Sequence, residues 1–89
     1  MTPETEIDFN NYQLFDGGYR VYTIPSSPRV LCRDPDRMWF MAQRKDGLQF
    51  TPVYWERKVL TVGSIQSIAS LCQKFASPEA ALAARPWEC

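Results

Sequence analysis

Along this chain, apolar and polar positions alternate with a period of two until Gly63, and after it recur with a period near three and a half. The first period belongs to strands and the second to helices, because side chains alternate across a strand but return to one helix face every three to four residues. The clearest strand signal spans 38–55. There Met-Trp-Phe-Met-Ala-Gln and Leu-Gln-Phe-Thr-Pro-Val-Tyr-Trp flank Arg-Lys-Asp-Gly. A three-residue loop, Lys45-Asp46-Gly47, closed by Gly47 in the left-handed region, makes this a β-hairpin. Phe40 and Ala42 then share a face with Leu48 and Phe50, while Trp39 and Met41 point the other way. A four-residue loop would exchange the faces, and at this point both registers stand open.

Upstream, 12–15 and 19–24 are rich in Tyr, Val, Thr and Ile on either side of Asp16-Gly17-Gly18, which predicts a first hairpin. Pro25 and Pro28 interrupt it, since proline has no amide proton to give to a ladder. A third short run, 29–33, leads through the turn Asp34-Pro35-Asp36-Arg37 into the central hairpin. Pro52 places the second strand of that hairpin at an edge or a bend, and 58–62 could add a last strand. Residues 1–11, with only Ile7 and Phe9 as large apolar side chains, are expected to form a loose arm.

Beyond Gly63, the residues Ile65, Ile68, Ala69, Cys72 and Phe75 form one apolar stripe of a helix, with Ser64 as its N-cap. A second helix starts at Ser77, with Pro78 in its first position and Glu79 at the positive end of its dipole, and Pro86 stops it. Strands followed by helices predict one α+β domain over 1–89: a small antiparallel meander of four to six short strands packed with two short C-terminal helices.

Composition narrows the function more than the fold. The chain has 89 residues, 45% hydrophobic and 13% aromatic, with no formal net charge and no histidine. Without histidine, Ser-His and Cys-His nucleophile pairs are missing, so no enzyme is expected. Cys32, Cys72 and Cys89 lack CxxC spacing and read as reduced thiols, so neither a structural zinc nor any other cofactor is expected. Asp34 and Asp36 are explained by turn chemistry. An acidic start and the lack of a run of about 20 apolar residues predict a cytoplasmic protein away from membranes. Charge is uneven: 1–18 holds four acids and no base, whereas 29–58 holds seven bases against four acids.

Aromatic residues exceed what so thin a core needs. Tyr, Trp, Met and Arg concentrate at the centres of protein interfaces. On this ground Arg37, Trp39, Met41, Arg44, Lys45, Tyr54, Trp55 and Arg57 are the candidate partner-binding residues. The expected partner is a protein, within a larger complex; a homodimer also stays open. The alternative is single-stranded nucleic acid, whose bases stack on exposed rings while Arg33, Arg37, Arg44, Lys45, Arg57 and Lys58 neutralise phosphates. The basic surplus falls short of a dedicated nucleic-acid domain, which puts this reading second.

The run Phe75-Ala76-Ser77-Pro78-Glu79-Ala80-Ala81 resembles the endings of small phage, prophage and plasmid accessory proteins, in which a compact antiparallel sheet is closed by a helix of this kind. The resemblance covers about the last fifteen residues and the general size of the chain. It implies a non-catalytic protein that occupies a surface of a larger host or phage complex, as anti-CRISPR proteins and other host-takeover inhibitors do. It assigns no site residue.

Overall fold

The structure, a computed structural model, describes residues 7–25, 28–52 and 62–84. Its strands are β1 (Gln13–Phe15), β2 (Tyr19–Thr23), β3 (Arg29–Arg33), β4 (Trp39–Asp46) and β5 (Gln49–Pro52), followed by α1 (Ile65–Ala69) and α2 (Pro78–Ala84). The five strands form one antiparallel sheet in the order β1-β2-β3-β4-β5, the meander that short hairpin connections impose. Its two outer strands approach one another: the rings of Phe15 on β1 and Phe50 on β5 lie 5.5 Å apart, and Arg44 Nη2 donates to Gln13 Oε1 at 2.9 Å. The sheet is therefore curled into a half-barrel, and α1 plugs its concave side.

Alternation divides the strands into two apolar faces. Val21, Val30, Cys32, Phe40, Ala42 and Phe50 lie on the concave side with Ile65, Ile68 and Ala69 of α1. Tyr22, Leu31 and Met41 lie on the convex side, where Ile24, Ile7 and Ala81 of α2 join them. Residues 70–77 carry the chain from one face to the other. This passage overrides the helical stripe read through Cys72 and Phe75: α1 ends at Ala69, Cys72 stays beside the concave core, and Phe75 joins the convex cluster. There Phe75 pairs with Trp39 through N–H···O bonds of 2.8 and 2.7 Å, covering the part of β4 that the short β5 leaves open. Gly63 does the same for Phe50 on β5. These pairings blunt edges that would otherwise recruit other strands.

The central hairpin keeps its expected faces by a different turn. A loop over 45–47 would pair Arg44 with Leu48, whereas Arg44 pairs with Phe50 and Ala42 with Pro52. The turn is Gly47-Leu48, with Gly47 at φ 51°, and the register shift between Arg44 and Asp46 leaves Lys45 as a bulge. Because the offset is two residues, Phe40, Ala42 and Phe50 still share a face; Leu48 does not join them and is 64% exposed. Pro52 lies on an outer strand of the sheet, where a missing amide proton is tolerated. The strand anticipated over 58–62 lies, up to residue 61, outside the described residues.

Both helix caps form as read. Ser64 Oγ accepts from Ser67 N at 3.4 Å, and Ser77 Oγ accepts from Ala80 N at 3.1 Å. Of the expected loose arm over 1–11, residues 1–6 lie outside the described residues, and within 7–11 Ile7 is buried while the rest stay exposed. Ile7 joins Ala81 of α2 in the convex cluster, and the Phe9 ring sits 5.4 Å from Tyr22. No helix among the described residues is long and apolar enough to cross a membrane.

Candidate functional site: rings and arginines on the convex face

The expected binding surface divides in three. Met41 points away from Phe40, as alternation requires, but it is buried under α2 at 2% exposure and belongs to the interior. This corrects its assignment to a binding surface: α2 and Ile7 cover that face at Met41. Arg44 and Lys45 sit at the far end of β4 from Trp39. Arg44 lies over the Phe50 ring at 5.4 Å, and Lys45 is an exposed bulge. Tyr54, Trp55 and Arg57 lie outside the described residues. Only Arg37 and Trp39 fall in one place.

Around them stands a surface whose other members come from distant segments. Register aligns Arg20 on β2 with Arg33 on β3, and Arg33 with Trp39 on β4, so the three form a row across the sheet. The next row holds Tyr22, Leu31 and Met41. Tyr22 carries ring contacts to Phe9, Tyr12 and Trp39 at 5.4, 5.4 and 5.5 Å. Leu14 pairs with Arg20 and therefore faces the same way. Phe9, Tyr12 and Leu14 remain 42%, 41% and 67% exposed, a cluster of large apolar side chains at the β1 edge.

Two arginines lie over these rings. Arg20 is 4.6 Å from the centre of Tyr12 and Arg33 is 5.6 Å from that of Trp39, within the range of cation–π attraction. A hydrogen bond from Arg20 to Tyr22 raises the Arg20 pKa further above its ordinary value. Arg33 Nε is buried and has no hydrogen-bond partner among the described residues.

The turn between β3 and β4 closes this surface at one end. Asp34 organises it: Oδ1 accepts from the amides of Asp36 and Met38 at 3.0 and 2.9 Å, and Oδ2 pairs with Lys74 Nζ at 3.2 Å. The turn leaves Arg37 at φ 67°, the one non-glycine among the described residues with positive φ. A pocket of about 180 Å³ opens between this turn and the preceding one, lined by Gly18, Arg20, Arg33, Asp34, Pro35 and Arg37. Gly18, at φ 88°, meets Pro35 across it, and a Cβ there would touch the Pro35 Cβ at 3.4 Å.

Reading the chain locally missed Arg20, Phe9 and Leu14 as members of this surface. Parity could have placed Arg20 beside Tyr22, both on β2, but joining them to Trp39 required the register of two further strand pairs. No group of three or more His, Cys, Asp or Glu among the described residues is placed to hold a metal ion. Cys32 is fully buried, and burial first, then the nearby Cys72, pushes its thiol well above the ordinary range. A larger open pocket of about 400 Å³ lies between residues 8–13 and β2, lined by Asp8, Asn11 and Tyr12 among others. No family model, curated protein or solved structure matches the chain.

Proposed function

We propose that this protein is a non-catalytic binding module that works by occupying a surface of a larger protein assembly, as a phage-type inhibitor of the anti-CRISPR kind does. The observation that carries this reading is the exposed group Phe9, Tyr12 and Leu14 beside Arg20, Arg33 and Arg37. Large apolar side chains clustered at a surface and rimmed by arginine are the composition of an interface centre. The rings are also held in place by one another, so little side-chain entropy is lost when a partner covers them. The proposed contact surface is accordingly Phe9, Tyr12, Leu14, Trp39 and the three arginines, and Met41 acts beneath it as packing.

The test is affinity capture from host lysate with the wild-type chain, Tyr12→Ala/Leu14→Ser and Lys45→Ala. The double variant should lose the captured partner, by roughly 30-fold or more in affinity for a hot spot worth about 2 kcal/mol. Lys45→Ala should retain it. Equal capture by all three would sink the proposal.

A second reading, single-stranded nucleic acid, is favoured by one arrangement: the Arg20 and Arg33 guanidinium groups lie over rings beside a partly open aromatic cluster. Bases stack on such rings and arginines meet phosphates. Fluorescence anisotropy with short DNA and RNA at low salt decides it, since true binding should then weaken steeply with added salt. A flat titration through the micromolar range removes this reading.

A further inference from the structure

Two arginines face each other across β2 and β3. Arg20 and Arg33 are direct register partners, and like charges in that position destabilise a sheet. The rings of Tyr12 and Trp39 offset part of this repulsion, but each ring engages one face of a guanidinium plane, and the hydrogen bond to Tyr22 occupies only part of the five-donor edge of Arg20. Arg33 Nε in particular is buried without a hydrogen-bond acceptor among the described residues.

Arg37 adds a third positive charge to the same pocket, from a backbone position that any side chain occupies at a cost. Glycine would hold that φ more easily, so the turn gains nothing from arginine there. Asp34, the remaining charged group of the lining, does not cancel the three. Its carboxylate is already shared by two backbone amides and the Lys74 ammonium. The pocket is thus a small polar recess with surplus positive charge.

We propose that Arg20, Arg33 and Arg37 form a binding site for a tetrahedral dianion, a phosphate monoester or free phosphate. Guanidinium groups match phosphate oxygens with paired N–H donors, and several converging on one group give short, charge-assisted bonds. A dianion suits this site better than a diester. The recess is walled by Gly18 and Pro35, and its charge is concentrated in one place rather than drawn out along a track such as a nucleic-acid backbone would follow. Binding would offset the Arg20–Arg33 repulsion. The inference stands apart from the protein-binding reading, because a small anion is enough to test it.

Isothermal titration calorimetry of the full chain at constant ionic strength, with inorganic phosphate, phenyl phosphate, dimethyl phosphate and acetate, reads the site directly. At about pH 7.5, where monoesters are largely dianionic, phosphate and phenyl phosphate should bind at one saturable site, and dimethyl phosphate and acetate at least tenfold more weakly. Lowering the pH to about 5 protonates the monoester and leaves arginine charged, so phenyl phosphate should weaken while dimethyl phosphate does not change. Arg37→Gly is the decisive variant. It removes one guanidinium and relieves the backbone, so it should melt no lower than the wild type yet bind phosphate at least about tenfold more weakly. Arg33→Gln should lose binding to a similar extent. Equal affinity for monoester and diester, no saturation by phosphate, or full phosphate affinity in Arg37→Gly would each overturn the proposal.

Discussion

On the concave face, α1 lies against the sheet, and Val21, Cys32, Phe40, Ala42 and Phe50 are each at most 2% exposed. On the convex face the seven-residue α2 covers Leu31 and Met41 but not the far side of Tyr22, where Phe9, Tyr12 and Trp39 gather instead. Both faces arise from the same alternation along the same strands. What separates them is where each helix is seated: α1 sits within the curl of the sheet, whereas α2 lies over β3 and β4 and leaves the β1 edge to other side chains. Where the cover is complete the side chains are aliphatic, phenyl or thiol groups without polar tips. Where it is partial, Tyr12, Tyr22 and Trp39 gather with Phe9, and Arg20 and Arg33 lie over two of the rings. The sheet thus has one filled face and one half-filled face.

The largest expected effects test whether the convex face is core at all. Phe40→Ala should cost roughly 3–5 kcal/mol through lost burial and a cavity, a large share of the 5 kcal/mol or so that holds a domain of this size. Met41→Ala should cost about 2–5 kcal/mol, because α2 seals that position. Urea denaturation of both variants measures this. A benign Met41→Ala would mean that the convex interior is open to solvent, and the comparison would fail.

An intermediate effect comes from Cys32. Its thiol pKa is raised on folding, so the folded form keeps a proton that the unfolded chain loses above about pH 8.5. The stability linked to this group is therefore intact below that pH and falls as pH rises, by up to about 1.4 kcal/mol per pH unit, until the folded value is reached. Thermal melts from neutral to alkaline pH should show a steeper decline in the wild type than in Cys32→Ala. Parallel declines would place the thiol in contact with water and the concave core ajar.

Leu14→Ser should have the smallest consequence for stability, within about 0.5 kcal/mol, since Leu14 is 67% exposed on a short edge strand. A loss of several kcal/mol in its melt would show that the convex β1 edge is structural, and the contact region would shrink to the arginine pocket.

Much of this architecture is legible in local chemistry. Asp16-Gly17-Gly18, Asp34-Pro35 and Gly47 mark the turns, period-two runs mark the strands between them, and Ser64 and Ser77 mark the helix starts. Each signal depends on residues a few positions apart, so the chain states it without reference to anything distant. Face assignment on the central hairpin also follows, because a two-residue offset in register leaves parity unchanged. What only the tertiary structure decides is where α1 stops, which face each helix covers, and therefore which of two equally apolar faces is interior. Met41 is buried and Tyr12 is not because α2 is seated over β3 and β4, away from the β1 edge, a fact of packing rather than of pattern. The arginine pocket has the same origin: Arg20, Arg33 and Arg37 are spread over eighteen positions of sequence, and two strand registers and one turn bring them together.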